Sequence, residues 1–342
     1  MYRRKVQITG GSTFFVTLPK DWATSAGIQA KDQVRLIPTE TNSLLLIPKR
    51  SAESNRCRID LGDWEFDRLQ REVFSRYIAG YNIIEVRGDR IHPRQRRNVR
   101  QAAQALVGLE ILEETQSTVV LHSVVDIKDF PIGRTLRRIY EITRAMFADA
   151  ATAFLECDSD LAEDVRERDG DVDRLVLLIA RQLNLLLRDL VLPGDVELSK
   201  VEFLHHNEVA DQLERIADHA GKISEAATAL TRPVPAEVAD SVRSSSEASM
   251  KVLDAAMNAF LDQDVDRANE VLSAKGVGEK LFEQALLRSP MQQPENSYPI
   301  GIFLDSCLRI SEYGYNIAEN ALDASVPLDN WSPDSEPGSE RL

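Results

Sequence analysis

The first fifty residues alternate between apolar and polar positions, a period of two that indicates half-buried β-strands. Four segments carry the pattern: KVQI, TFFVTL, QVRLIP and SLLLIP. A short helical piece separates the second segment from the third, and Pro19 suits its first turn while Gly27 suits its end. Because four strands this short cannot enclose a core, we expect residues 1–50 to form a small β domain that dimerises.

Residues 55–126 mix the strand period with the helix period. Strand patterns alternate there with two amphipathic helix patterns, which predicts a small α/β connector. A run of charge is most often a solvated helix face, and a nucleic-acid or phosphate contact surface is the alternative. The connector contains one such run of six arginines: Arg87, Arg90, Arg94, Arg96, Arg97 and Arg100.

From about residue 130 the apolar positions recur every three or four residues, which predicts helices throughout. The hinge TRPVPAE divides them into two three-helix units, residues 130–230 and residues 235–326. Residues 327–342 are polar and rich in Pro and Ser, so we expect a disordered tail.

The two helical units repeat each other. The segment ERIADHAGKISE at 214–225 aligns with LRISEYGYNIAE at 308–319. Less closely, DGDVDRL at 169–175 aligns with KGVGEKL at 275–281. An internal repeat of this length predicts two similar units packed side by side.

Composition is typical of a cytoplasmic globular protein. Of 342 residues 43% are hydrophobic, yet no apolar run reaches the ~18–20 residues that span a bilayer. The N-terminus lacks the apolar core of a signal peptide. Cys57, Cys157 and Cys307 lie far apart without a CxxC pair, which excludes a disulfide framework and a zinc ribbon.

The net charge of −14 is divided unevenly along the chain. Residues 1–50 hold eight basic and three acidic side chains, residues 51–125 hold eleven of each, and the remainder carries the acidic excess. A basic head on an acidic body indicates different partners for the two regions. Because an acidic, lysine-poor surface suits a high-salt cytoplasm, we expect a salt-loving source, with an ordinary acidic cytosolic protein as the alternative.

The head, with RKVQITGGSTFFVTLPKDW followed by AGIQAKDQVRLIPTETNSLLLIPK, resembles the AbrB/SpoVT swapped-hairpin DNA-binding domain. The resemblance implies contact with the DNA backbone, which in this sequence falls to Arg3, Arg4, Lys5 and Lys20. The head has GGSTFF and LPKDW where AbrB proteins carry DNA-contacting arginines. A dimerisation module without DNA contact is therefore the alternative.

The segments RDGDVDRL and LERIADHAGKISEAA in one helical unit and RISEYGYNIAENA in the other resemble PhoU, the accessory regulator of high-affinity phosphate transport. The resemblance covers roughly residues 131–325. Residues 80–127 also resemble the connecting segment of archaeal PhoU-related proteins that carry an AbrB-type head. We therefore expect a multi-domain α+β protein with a swapped-hairpin β domain, an α/β connector and a duplicated three-helix bundle.

Two pairs of carboxylates stand four residues apart in the first helical unit. An i,i+4 pair lies on one face of a helix, so two such pairs on facing helices bring four carboxylates to a common point. Four like charges at one point repel one another unless a cation neutralises them, and hard oxygen ligands suit Fe, Mn, Mg or Ca. The PhoU resemblance implies an iron- or zinc-type metal site, so Fe, Zn, Mn or Mg is the expected cofactor. The predicted ligands are Asp169, Asp173, Glu214 and Asp218.

An acidic, solvated face is the alternative to this metal site, because Arg168, Arg174 and Arg215 are close enough in sequence to pair with the carboxylates. The second unit departs from the pattern and is expected to lack a competent site. Its corresponding residues are Lys275, Glu279, Leu308 and Glu312. Of the histidines, we expect His219 to pack or cap rather than to bind metal.

The motifs that would indicate an enzyme are absent: the sequence holds no GxGxxG, no GxxxxGK[ST] and no GxSxG. The resemblances predict instead a cytoplasmic, homodimeric regulator of phosphate uptake and phosphate homeostasis that acts negatively. Its bundle would dock on the phosphate ABC transporter ATPase or on a signalling partner, and its head would contact DNA. The alternative is an AbrB-type transcription regulator whose helical body senses a metal or metabolite and whose targets are not phosphate genes.

Overall fold

The computed structural model describes residues 2–38, 43–48, 55–188, 198–276 and 294–326. The chain divides into two compact units, Met1–Asn55 and Arg56–Leu342. The predicted tail, residues 327–342, lies outside the described residues. Within those ranges, no helix combines the length and the apolar character that a membrane crossing requires.

The first unit consists of two antiparallel hairpins separated by a short helix, in the order that the sequence predicts. The first hairpin turns at Gly10 and Gly11, both of which have positive φ angles that glycine adopts without strain. The elements are β1 (Gln7–Thr9), β2 (Thr13–Phe15), α1 (Lys20–Ser25), β3 (Val34–Pro38) and β4 (Leu44–Pro48). None of the described apolar side chains of this unit is fully buried, and Ile8, Phe14 and Leu36 are among the exposed ones, as is expected of separate two-stranded sheets.

The second unit begins with a four-stranded sheet and two helices that cover one of its faces. Strands β5 and β6 are parallel, the other neighbours are antiparallel, and the strand order is β5-β6-β8-β7. The elements are β5 (Arg56–Asp60), α2 (Phe66–Ile78), β6 (Ile83–Arg87), α3 (Pro93–Gln104), β7 (Leu109–Glu114) and β8 (Thr118–Ser123). Alternate strand residues such as Ile59, Ile84 and Leu121 are buried against the helices. This arrangement agrees with the predicted α/β connector.

The rest of the second unit is a helical bundle with one continuous core. Its helices are α4 (Ile132–Glu156), α5 (Ser159–Leu187), α6 (Lys200–Thr228), α7 (Ala236–Asp262), α8 (Val265–Ser273) and α9 (Ser297–Ser325). Helix α6 packs against α4 and α5, α9 packs against α7 and α8, and α6 and α9 pack against each other at the centre. The fully buried rings of Phe154 on α4 and Phe303 on α9 also meet, with centroids 4.7 Å apart.

The two halves of the bundle repeat the same turn. The residues that directly follow α4 and α7, Cys157 and Gln263, both adopt the left-handed conformation, and in each case the next residue caps the following helix. The caps are Asp158 and Asp264, whose carboxylates accept backbone N–H groups of the first turns of α5 and α8. The turns lie 106 residues apart, which is also the spacing between DGDVDRL and KGVGEKL in the sequence. The two turns are therefore separated by the same number of residues as the two segments of the weaker sequence alignment.

Candidate functional site

The neighbouring helices α5 and α6 bring the four predicted carboxylates together. Asp169 and Asp173 lie on α5, and Glu214 and Asp218 lie on α6. Burial and the charge of Asp218 raise the pKa of Asp169. Burial raises the pKa of Asp173 to about 6, with further contributions from Asp169 and Asp218. The carboxylates are therefore close enough across the helix pair to oppose one another's ionisation.

Glu214 is the most strongly affected member of this group. Burial raises its pKa to about 7, followed by the charges of Asp218, Asp173 and Asp211. A cation bound here would displace the proton and offset the part of this shift that comes from the neighbouring carboxylates. We call Asp169, Asp173, Glu214 and Asp218 the carboxylate cluster.

Asp211 is a fifth carboxylate near the cluster, and our sequence analysis missed it. It lies three residues before Glu214 and seven before Asp218, a spacing that keeps it on one side of α6. Burial raises its pKa, Arg215 opposes that rise, and Glu208 adds to it. Its signal in the sequence is the i, i+3, i+7 spacing of Asp211, Glu214 and Asp218, which i,i+4 pairs alone do not contain.

Of the three nearby arginines, Arg168 and Arg174 pair with carboxylates outside the cluster, whereas the charge of Arg215 partly opposes the rise in the pKa of Glu214. Arg168 forms ion pairs with Asp149 at 2.6 Å and Asp164 at 2.7 Å. Arg174 lies 3.9 Å from Asp171, and the guanidinium of Arg215 lies over the ring of Tyr313, 5.8 Å from its centroid.

In the part of the chain that the structure describes, no member of the carboxylate cluster forms an ion pair. The alternative of a face neutralised by local arginines therefore has less support than the sequence suggests. The same residues nonetheless stop short of a closed coordination shell, since no three His, Cys, Asp or Glu side chains in the described ranges are arranged to hold an ion. The donor set fits a hard cation, and binding would require the carboxylates to turn toward it.

The second half of the bundle has a cavity of about 230 Å³ where the first half has the cluster. Its lining includes Lys275, Leu308 and Glu312, which align with Asp169, Glu214 and Asp218. The Lys275 ammonium lies 3.9 Å from a carboxylate oxygen of Glu319 and 5.7 Å from the centroid of the Tyr315 ring.

Glu312, the remaining carboxylate of that cavity, is paired with Arg309 at 2.7 Å. That the second half lacks a competent acidic site stays a prediction. Glu279, the fourth aligned position, lies outside the described residues.

The histidines make contacts away from the carboxylate cluster. His219 is buried between α6 and α9, where its Nδ1 lies 3.1 Å from the Ser306 hydroxyl, and burial lowers its pKa to about 4. His205 lies 3.2 Å from the Asn320 amide oxygen, and the ring of His206 packs edge-on against Phe260. The arrangement of His219 is the packing role that the sequence predicts.

The four cations predicted to contact DNA are all exposed. Arg3, Arg4 and Lys5 lie in the extended segment before β1, and Lys20 is the first residue of α1. None of them forms an ion pair within the described residues, so their charges are available to a polyanion.

Two family models match separate parts of the chain. The PhoU domain model matches residues 136–227, a range that includes all of α5 and most of α4 and α6. The model described as antidote-toxin recognition MazE, bacterial antitoxin, matches residues 7–54. No curated protein gives a significant match.

The solved structures similar to this chain include two PhoU proteins. PhoU from Pseudomonas aeruginosa is 23% identical with a TM-score of 0.50, over 58% of this chain and 97% of that one. The phosphate transport system regulatory protein PhoU from Streptococcus pneumoniae is 18% identical with a TM-score of 0.46, over 56% and 92%. The first likeness shows the fold of the helical part, and the predicted fold class is confirmed.

Proposed function

We propose that this chain is a regulator of phosphate uptake and phosphate homeostasis, and that it acts negatively. The observation that carries the proposal is the match of residues 136–227 to the PhoU domain, within a bundle whose two halves repeat. The regulator works in the cytoplasm and is not an enzyme. An archaeal, salt-loving source stays a prediction.

The head contacts DNA and forms a homodimer in this proposal. The match of residues 7–54 to the MazE model and the exposed cations Arg3, Arg4, Lys5 and Lys20 support DNA contact. Exposed apolar side chains on the same unit support dimerisation, because a second copy would remove them from water. These side chains include Val6, Ile8, Phe14, Val16 and Leu36.

The helical bundle docks on a protein partner, either the ATPase of the phosphate ABC transporter or a signalling protein. The acidic excess of the chain beyond residue 125 favours a partner surface with basic side chains. The carboxylate cluster binds a metal ion, Fe, Zn, Mn or Mg, because its members oppose one another's ionisation and none of them forms an ion pair within the described residues.

Protein purified without chelator is expected to contain bound metal that depends on the carboxylate cluster. Asp169→Asn combined with Asp218→Asn removes one charged ligand from each helix, so metal content measured by elemental analysis is expected to fall at least tenfold. The matched control is Asp171→Asn with Glu225→Gln, which removes one exposed carboxylate from each of the same helices. Wild-type protein without metal, or equal metal in both double variants, would contradict the site.

Deletion of the gene is expected to raise transcripts of phosphate-transport genes under phosphate-replete growth. A negative regulator of phosphate uptake holds these genes down when phosphate is plentiful, and its loss releases them. Transcript profiling also separates this function from the alternative of a transcription regulator with a metal- or metabolite-sensing body. Changed transcripts confined to genes unrelated to phosphate would favour that alternative.

A further inference from the structure

The arginine run of the α/β connector surrounds the start of α3. Arg90 lies in the loop before the helix, and Arg94 and Arg97 lie three residues apart on its exposed side. The buried face of α3, with Val99, is on the opposite side. Because a helix N-terminus carries partial positive charge, it adds to the field of these side chains.

Part of the run is neutralised within the chain. Arg96 and Arg100 share a single carboxylate, Glu114, at 3.0 and 3.2 Å. Arg96 also donates to the Thr115 carbonyl at 2.7 Å, so its role is structural. Two guanidinium groups on one carboxylate leave a net positive charge on this side of the helix.

The other arginines are more available to a ligand. Arg94 approaches Glu65 at 3.4 Å, and both side chains are mostly exposed, at 74% and 84%. Ion pairs this exposed contribute little free energy and are easily exchanged. Arg90 and Arg97 have no ion-pair partner among the residues that the structure describes.

This basic surface is out of keeping with the acidic chain that carries it. Residues 87–100 contain six arginines and one acidic residue, Asp89, in a chain of net charge −14. Guanidinium groups bind phosphate in bidentate fashion, and the connector contains no lysine. The chemistry therefore points to a phosphate-bearing polyanion.

We propose that Arg90, Arg94 and Arg97 contact the backbone of double-stranded DNA, as a second contact surface in addition to the head. This inference rests on the proposed DNA contact of the head. Residues 87–104 contain no Phe, Tyr or Trp to stack on unpaired bases, which favours duplex over single strands. The exposed side of α3 has no apolar side chains to enter a lipid bilayer, which disfavours a membrane surface.

The test measures binding of the full chain to a fluorescent DNA duplex by anisotropy, at salt concentrations between 50 and 200 mM. Each phosphate contact contributes about 0.9 to the slope of log K against log salt. The triple variant R90Q/R94Q/R97Q is expected to lose up to about 2.7 from that slope and at least about tenfold in affinity at 50 mM.

Two control variants separate a contact from a general effect of charge. R137Q/R138Q/R243Q removes the same charge from exposed positions of the bundle and is expected to leave the slope unchanged. R90K/R94K/R97K keeps the charge and is expected to keep most of the slope. Thermal unfolding of each variant checks that the fold is intact.

The outcomes distinguish this inference from the proposal on which it rests. Full affinity and slope in R90Q/R94Q/R97Q, together with loss of binding in R3Q/R4Q/K5Q/K20Q, would overturn the second surface and leave the head's role intact. No binding of wild-type protein to the duplex at 50 mM would overturn both. If R90Q/R94Q/R97Q binds DNA like wild type but no longer binds phosphatidylserine vesicles that wild type binds, the ligand of this surface is a membrane and the proposed DNA contact is wrong.

Discussion

Replacing Arg181 by methionine is expected to lower the free energy of unfolding of the second unit by about 3 kcal/mol. Arg181 lies on α5, is only 5% exposed, and donates hydrogen bonds to the carbonyls of Tyr77 and Tyr81 and to the Asn82 side chain. Its guanidinium also lies over the Tyr77 ring, 4.7 Å from the centroid. Methionine fills similar space but leaves the buried Tyr77 carbonyl and two partly buried acceptors without their donor, at about 1–3 kcal/mol for each one that water cannot reach.

Urea unfolding followed by circular dichroism measures this loss. The matched control is Arg188→Met, an exposed arginine that directly follows α5, for which a change within about 0.5 kcal/mol is expected. Equal effects of the two substitutions would contradict the role of Arg181 in holding the α/β connector on the bundle.

The free energy of unfolding of chelator-treated protein is expected to fall as pH rises from 5 to 8, because Asp173 and Glu214 of the carboxylate cluster become ionised. In the folded state the pKa of Asp173 is about 6 and that of Glu214 about 7, both above their ordinary values. The folded chain therefore retains protons that the unfolded chain releases, and raising the pH through these values favours unfolding. Because the Asp173 side chain is exposed and that of Glu214 is only half-buried, solvent screening limits the expected loss to about 1–2 kcal/mol.

The comparison that isolates this effect is between wild-type protein and Asp173→Asn with Glu214→Gln, by urea unfolding at several pH values. The double variant is expected to lack the loss, and Asp171→Asn with Glu225→Gln is expected to retain it. Buried His219 acts in the opposite direction, since it stays neutral in the folded state and favours unfolding as pH falls below its ordinary pKa. Equal pH dependence in wild type and the cluster variant would contradict the proximity of these carboxylates.

The carboxylate cluster was predictable because its geometry is local. An i,i+4 spacing fixes which side of a helix a residue occupies, and the repeat placed the two helices in the same unit. Asp211 is predictable in the same way once i+3 and i+7 spacings are considered together with i+4. The pairing of Arg168 with Asp149 depends on how α4 packs against α5, and this is information that spacing along one helix does not contain.

Arg181 could not have been found in this way. Its partners are about a hundred residues earlier in the chain, at the end of α2 and the start of β6, and they bind it mainly through backbone carbonyls. A carbonyl has no side-chain signature, so the sequence around position 181 resembles any charged position of an amphipathic helix. The structure shows instead that this arginine joins the α/β connector to the bundle.

The repeated turn at Cys157 and Gln263 has a consequence for the symmetry of the bundle. Residues that follow these turns correspond at an offset of 106, but α6 and α9 correspond at an offset of 94, so the first half is twelve residues longer between the two points. Leu177 and Arg181, which hold the α/β connector, lie within this longer stretch. The two copies of the repeat are thus unequal in length, and the α/β connector packs against the longer copy.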